Sequence, residues 1–157
     1  MSLDTVRAHL ADVAPDLKIL ETSDSSATVE LAAAAYGVAP AQIAKTLSIR
    51  LKDEVFLLVA RGDARIDNKK ARAAFGGKIK MLGLEEVEQI TGHPVGGVCP
   101  FGLARPLKVY CDISLKAFDE VIPAAGSTNS AVRVSPDRLA AITNGAWVDV
   151  CVDPASG

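Results

Sequence analysis

The first residue that could do chemistry is a lysine at the start of an apolar stripe. Segment 44–51 is predicted to be a strand, in which side chains alternate between two faces. On one face Lys45 precedes three apolar residues, Leu47, Ile49 and Leu51. An ammonium group there needs a partner or loses its proton, and at a pocket mouth it would suit a phosphate or carbonyl oxygen. A frayed strand end, with Lys45 extending into water, would explain the same pattern.

A loop rich in glycine and proline is the second candidate. The segment 92–102, GHPVGGVCPFG, contains four glycines and two prolines and must be a loop. Gly96 and Gly97 could present bare backbone N–H groups to an oxyanion or a ribose. The segment has neither the GK[ST] ending of a P-loop nor the dinucleotide fingerprint. A shaped surface loop without a ligand is the alternative.

Segment 61–80 concentrates positive charge. It holds seven basic and two acidic residues, a net charge of +5, in a chain whose formal net charge is −2. The overall charge excludes a strongly basic nucleic-acid binder, but a local basic face could dock on a phosphate backbone. The residues predicted to do so are Arg61, Arg65, Lys69 and Lys70. A solvated helix face would explain the same run.

Metal and thiol chemistry have little support in the sequence. None of the three cysteines forms a CxxC pair and the two histidines lack metal-ligand spacing, so no metal or cofactor is predicted. Cys99 could be a nucleophile, but no sequence signature pairs it with a histidine. The polar turn 127–130 could bind a ligand, or could simply be a turn.

The elements that must position these residues alternate between helices and strands. Helices are predicted over 2–13, from Ser25 or Ser26 to Ala35, and over 68–75, 84–90 and the segment after Ser135. Strands are predicted over 16–20, 44–51, 54–61, 78–81, 107–111, 121–123, 131–134 and 147–152. The strands 44–51 and 54–61 would form a hairpin. Short connections favour an α/β (α+β) fold, with helices packed on a mixed sheet.

Length and composition fit one domain over residues 1–157, with an aliphatic core because aromatic residues make up only 4%. The first residues contain no apolar run long enough for a signal peptide, and no stretch approaches the roughly 20 apolar residues of a membrane helix. A cytoplasmic protein with reduced thiols is therefore expected.

Four short motifs, taken in order, resemble a known family. They are Ala44-Lys45-Thr46-Leu47, Ala60-Arg61-Gly62-Asp63, the run from Thr91-Gly92 to Pro100-Phe101-Gly102, and Ala125-Gly126-Ser127. The set is similar to the YbaK/ProX family of aminoacyl-tRNA editing domains, related to the domain inserted in bacterial prolyl-tRNA synthetases. The resemblance implies a mixed, partly curled β-sheet flanked by helices.

The resemblance also implies an activity. Members hydrolyse the ester joining an amino acid to the 3′ end of tRNA, and a free-standing deacylase of this kind would act on a mischarged tRNA, such as tRNA for proline carrying a small amino acid. Loop backbone groups would hold the substrate carbonyl and position water, with help from a hydroxyl of the terminal ribose. No metal, cofactor or covalent intermediate is expected. The partners would be the aminoacyl-tRNA acceptor end and a prolyl-tRNA synthetase.

Site residues follow from the matched motifs. The resemblance implies catalytic roles for Lys45, Gly96 and Gly97, with Lys45 anchoring the tRNA end rather than transferring a proton. Substrate contacts are expected from Thr46, Val98, Cys99, Pro100, Ser127 and Thr128. Ala131 stands where some members carry an acidic residue, which argues against a cysteine-specific activity. The alternative is a non-catalytic nucleic-acid-binding or synthetase-associated protein, although no helix-turn-helix is recognisable.

Overall fold

Five α-helices and a mixed β-sheet make up the computed structural model, which describes residues 2–153. The helices are α1 (Ser2–Val13), α2 (Val29–Tyr36), α3 (Asn68–Phe75), α4 (Leu84–Thr91) and α5 (Pro136–Thr143), with 3₁₀ turns at Pro40–Gln42 and Ile113–Ala117. The strands are β1 (Leu20–Glu21), β2 (Ile43–Leu51), β3 (Glu54–Arg61), β4 (Arg65–Ile66), β5 (Lys80–Met81), β6 (Lys108–Asp112), β7 (Ile122–Pro123), β8 (Ser130–Ala131), β9 (Ala146–Val148) and β10 (Cys151–Val152).

The main sheet has the strand order β5-β2-β3-β6-β9, and β7 also pairs with β2. β2 and β3 form the predicted hairpin, in antiparallel register along the whole of β3. β6 and β9 add in parallel, whereas β5 is antiparallel to β2 and β7 is parallel to it. Two small sheets, β1 with β8 and β4 with β10, complete the described chain. The expected α/β (α+β) fold is confirmed.

Local capping signals explain where most helices begin and end. The side chains of Asp67 and Ser135 accept hydrogen bonds from the first turns of α3 and α5, as predicted. Gly37, Gly76 and Gly92 end their helices in the left-handed conformation that glycine adopts without steric cost. These caps fix where the helices begin and end.

Several predicted elements are wrong in detail, and of the predicted strand 131–134 only Ala131 lies in a named strand, β8. The cap of α2 is Thr28, whose hydroxyl accepts from the Leu31 N–H at 3.1 Å, rather than Ser25 or Ser26. Strand 16–20 is replaced by β1, because Asp16 lies in a turn and binds Arg138 on α5. Strand 147–152 is two strands in different sheets, since the Val150 N–H between them binds the Asp112 carboxylate at 2.8 Å.

The core is mainly aliphatic, with the buried aromatic residues Phe56 and Phe101, and fills both faces of the sheet. On one face Leu57 and Val59 of β3 pack with α1 and α5, and on the other Leu58 and Ala60 pack with α3. A third, smaller cluster lies between α2 and β7, around Ile122 and its neighbours. This third cluster borders the site described next.

Candidate functional site

A cavity of about 260 Å³ opens at one edge of β2. Its walls are α2 with the segment before it, the β2 edge, the strands β7 and β8, the start of α4, and the glycine-rich loop 92–102. Of the predicted site residues, the structure brings four to this cavity: Lys45, Thr46, Gly96 and Val98. Its ionisable side chains are Lys45 and Tyr36, with no carboxylate or imidazole in the lining formed by residues 2–153.

The cavity exists because one edge of β2 is only partly covered. β7 pairs at Ile43–Ala44 and β5 pairs at Ile49–Arg50, which leaves the middle of the strand open on that edge. The Ser48 carbonyl faces this edge, where it accepts from the Leu82 N–H at 2.9 Å. Alternate residues of a strand direct their N–H and C=O groups to the same edge, so those of Thr46 also face the gap. A ligand in the cavity therefore meets the N–H and C=O of Thr46, which on this edge have no partner among residues 2–153.

The Lys45 side chain is half-buried and tethered. Its ammonium donates a hydrogen bond to the carbonyl oxygen of Ala64 at 2.5 Å. Burial lowers the pKa of Lys45 below its ordinary value, while the neighbouring Cys151, Asp63 and Glu30 act in the opposite direction. A carbonyl only accepts hydrogen bonds, so this contact keeps the lysine a donor. Two ammonium protons remain for a ligand.

The turn that supplies this carbonyl is built by the Ala60-Arg61-Gly62-Asp63 motif. A Cβ on Gly62 would lie 2.2 Å from the Pro40 carbonyl oxygen, so only glycine fits there. The Arg61 guanidinium binds Asp63 and Asp153, at 2.5 Å each, and its side chain is only 15% exposed. Arg61, predicted to bind tRNA, is therefore engaged in holding the turn that positions Lys45.

The glycine loop packs between two backbone segments. Gly96 has φ +89°, and a Cβ there would lie 2.8 Å from the Ala27 Cβ. A Cβ on Gly97 would lie 2.9 Å from backbone atoms of Ser127. The Gly97 N–H already donates to the Pro94 carbonyl oxygen at 2.9 Å. The N–H groups of Val95, Gly96 and Val98 donate to no acceptor within residues 2–153. Among the loop residues that line the cavity, the N–H groups of Val95, Gly96 and Val98 are therefore available as donors.

Cys99 and Pro100 lie outside the cavity lining. Cys99 is fully buried, with Sγ 3.6 Å from the Phe101 carbonyl oxygen and from His93 Nε2. Burial raises the pKa of the Cys99 thiol to about 12, so it is a neutral thiol without access to a substrate. Pro100 faces a separate depression beside α5. The loop turns these two residues away from the cavity.

His93 fixes this loop and was not among the predicted site residues. The fully buried ring binds the Phe101 carbonyl oxygen through Nε2 at 2.7 Å and the Ser2 hydroxyl through Nδ1. Burial lowers the pKa of His93, which favours the neutral ring with Nε2 protonated and Nδ1 accepting. His93 thereby ties the loop to the start of α1.

The polar turn 127–130 supports the cavity wall. The Thr128 carbonyl oxygen accepts from the N–H and the hydroxyl of Ser26, at 2.6 and 3.2 Å. The Ser127 hydroxyl bonds within the turn to Asn129 and to Ser130, at 3.0 and 2.5 Å. Neither Ser127 nor Thr128 lines the cavity, whereas the fully buried Ser130 does.

Two further features of the cavity could not be located from motifs. The hydroxyl oxygens of Tyr36 and Thr46 are buried and have no hydrogen-bond partner within residues 2–153. The mouth carries exposed apolar side chains, Met81, Leu84 and Val95, which are 54%, 71% and 51% exposed. The sequence signal that could have indicated Tyr36 is its place as the one aromatic residue in the alanine-rich helix 29–36.

The predicted basic face is partly neutralised. Lys70 binds Asp149 at 3.0 Å and the Cys151 carbonyl at 3.3 Å. Lys69 and Arg65 are exposed, and Lys69 has no ion pair within the described residues. Residues 2–153 contain no group of three His, Cys, Asp or Glu side chains that could hold a metal, and no helix long and apolar enough to cross a membrane.

Comparisons with known proteins agree on one family. The model of the aminoacyl-tRNA editing domain matches residues 23–142. The uncharacterized protein YwhH of Bacillus subtilis (strain 168) is 50% identical, over 98% of this chain and 99% of its own. The protein EbsC of Enterococcus faecalis, provisionally named a Cys-tRNA(Pro)/Cys-tRNA(Cys) deacylase, is 27% identical over 82% of this chain and 79% of its own.

A solved structure shares the fold closely. A crystal structure provisionally described as a trans-editing enzyme for prolyl tRNA synthetase has a TM-score of 0.87 and 33% identity, covering 95% of this chain and 96% of the other. The proline–tRNA ligase of Bacillus licheniformis is 29% identical over 65% of this chain, which corresponds to 18% of the ligase. The match to the ligase is thus a match to one part of it.

Proposed function

Because the chain belongs to the aminoacyl-tRNA editing domain family, we propose that it is a trans-editing deacylase, which hydrolyses the ester of a mischarged aminoacyl-tRNA. The observation that carries the proposal is the cavity at the open edge of β2, which holds Lys45 and the glycine loop together. Its 260 Å³ suits an aminoacyl group rather than a protein segment. The editing relatives and the similar trans-editing structure support the same reaction.

The backbone groups around the cavity match an aminoacyl ester. Such an ester presents an α-ammonium group, which needs acceptors, and a carbonyl oxygen that becomes negative during hydrolysis. The Thr46 carbonyl on the open edge would accept from the ammonium. The unused N–H groups of Gly96 and Val98 would donate to the developing oxyanion. Gly97 would act by packing on Ser127 rather than by donating.

Lys45 is proposed to anchor the terminal nucleotide. Lys45 lines the cavity, its ammonium is held by the Ala64 carbonyl oxygen, and two protons would be left for a phosphate or ribose oxygen. Proton abstraction would require a neutral amine, whereas the hydrogen bond to the Ala64 carbonyl oxygen is stronger from the charged ammonium. Lys45 therefore contributes position and charge, and a one-ångström error in such positioning is costly to rate.

The base that activates water is proposed to come from the substrate. Lining residues within 2–153 include no carboxylate and no imidazole, so the protein offers no ordinary general base there. A free hydroxyl of the terminal ribose lies beside the ester and would assist the attacking water. Ala131 lines the cavity at the position expected to be acidic in some members, which leaves that wall uncharged.

The remaining predicted residues are assigned supporting roles. Cys99 and Pro100 would fix the direction of the glycine loop, and Ser127 and Thr128 would fix the wall beside it. tRNA for proline is the proposed carrier, with a prolyl-tRNA synthetase as the upstream partner, because relatives include proline–tRNA ligases and a protein named for Cys-tRNA(Pro). The tRNA body would dock on the exposed basic residues Arg65 and Lys69.

The test is a deacylation panel with purified protein and tRNA for proline charged with Ala, Ser, Thr, Cys, Pro or 2-aminobutyrate. The proposal predicts accelerated release of at least one small amino acid and little release of proline, because a sieve of this size discriminates by exclusion. Tight binding of duplex DNA at physiological salt, together with no deacylation of any substrate, would instead favour a non-catalytic nucleic-acid-binding protein.

A further inference from the structure

Two buried hydroxyl groups have no hydrogen-bond partner in the described part of the chain, residues 2–153. They are Tyr36 Oη on α2 and Thr46 Oγ1 on β2, and both residues line the same cavity. Buried polar atoms in folded proteins are nearly always hydrogen-bonded, so an unpaired pair in one cavity calls for an explanation. A bound ligand that supplies hydrogen-bonding groups is the explanation that also accounts for their shared location.

The two hydroxyl groups lie on different walls. Thr46 belongs to the strand whose open backbone edge faces the ligand, whereas Tyr36 ends the helix on another wall of the cavity. Around Tyr36 the wall is aliphatic, formed by Ala32, Ile43 and Ile122. If β2 and the glycine loop hold the ester and the ammonium, the amino acid side chain extends toward this aliphatic wall and the Tyr36 hydroxyl.

We infer that the cavity accepts a small amino acid whose side chain carries a hydroxyl group, serine or threonine, and that Tyr36 recognises that hydroxyl. The inference rests on the proposed deacylase function. A site with a buried hydrogen-bonding group favours a substrate that satisfies it and rejects an analogue that leaves it unpaired. An alanine or 2-aminobutyrate side chain would leave the Tyr36 hydroxyl in an aliphatic surrounding without a partner.

The test uses pairs of substrates that differ by one hydroxyl group. tRNA for proline is charged with Ser or Ala, and with Thr or 2-aminobutyrate, and kcat/KM for deacylation is measured for each. The wild-type protein should favour the hydroxylated member of each pair by about tenfold or more. Tyr36→Phe keeps the ring and removes only the oxygen, so both preference ratios should fall toward one.

Tyr110→Phe is the matched control, because Tyr110 packs against Phe56 and Phe75 outside the cavity. This variant should keep both wild-type ratios. Deacylation without a preference for the hydroxylated substrates, or a preference unchanged in Tyr36→Phe, would overturn the inference while leaving the proposed function intact. Absence of deacylation for every charged tRNA would overturn the proposed function and the inference together.

Discussion

The Lys45 ammonium donates a 2.5 Å hydrogen bond to the carbonyl oxygen of Ala64, just after the tight turn at Gly62. This bond connects two sequence motifs, around 44–47 and 60–63, whose separate roles the sequence alone does not distinguish. The turn is held by Arg61 and by the close approach of Gly62 to Pro40. The second motif therefore serves to hold the first at the cavity.

Removing the Lys45 ammonium should abolish most deacylation and leave the fold intact. We expect Lys45→Ala to lower kcat/KM by about a hundredfold or more, because an anchoring charge at the reacting end is lost. Lys45→Arg keeps a charge and should retain a measurable fraction. The exposed Lys18, in the segment before β1, gives the control Lys18→Ala. Circular dichroism and thermal unfolding check the fold, and full activity in Lys45→Ala would contradict the anchoring role.

Activity should fall at alkaline pH when Lys45 loses its proton. Burial lowers the pKa of Lys45 from its ordinary 10.5, and the protonated form is the one proposed to act. Activity is therefore present below the folded-state pKa and is lost as pH rises through it, with a midpoint below 10.5. kcat/KM against pH, corrected for spontaneous ester hydrolysis, measures this. If the pH midpoint of this alkaline fall in kcat/KM does not move to higher pH in Lys45→Arg, Lys45 is not the group that titrates.

The glycine loop offers a matched pair of substitutions at positive φ. Gly96 and Gly76 have similar φ angles, +89° and +79°. A Cβ added to Gly96 would lie 2.8 Å from the Ala27 Cβ, whereas a Cβ added to Gly76 would have no atom within 4 Å. Both Gly96→Ala and Gly76→Ala should lose about 1 kcal/mol of stability from backbone strain. Only Gly96→Ala should also lower kcat/KM, by about tenfold or more, since the cavity wall must move. Equal activity in the two variants would remove Gly96 from the site.

Cys99 should be dispensable for catalysis. It is fully buried, and burial raises its pKa to about 12, so little thiolate forms at neutral pH. Cys99→Ala should stay within a few-fold of wild-type activity while losing about 1–2 kcal/mol of stability to the small void. Thiol-directed alkylation of the native protein should likewise leave deacylation unchanged. Loss of turnover in a folded Cys99→Ala protein would revive a nucleophilic role.

Local signals in the sequence were sufficient for the hairpin and for most helices. The Lys52-Asp53 link between two β-rich runs predicts the turn, and Asp67 or Ser135 before an apolar period predicts a helix start. The α2 cap was missed because Ser25, Ser26 and Thr28 are equivalent as caps by residue type. Tertiary hydrogen bonds decide among them, because Ser26 is bound to the carbonyl oxygen of Thr128.

The cavity itself depends on contacts that no local pattern encodes. It exists because β5 and β7 join β2 from distant parts of the chain and stop short of each other. The directions of Cys99, Ser127 and Thr128 depend on the His93 anchor and on packing of Gly97 against the polar turn. Tyr36 enters the cavity only because α2 packs over Ile43 and Ile122.

The most direct test of the central claim is multiple-substrate deacylation by the wild-type protein, run beside Lys45→Ala. The wild type should release at least one small amino acid from mischarged tRNA for proline well above the spontaneous rate, and Lys45→Ala should not. Release at the spontaneous rate for all substrates, or equal release by both proteins, would contradict deacylation that depends on Lys45.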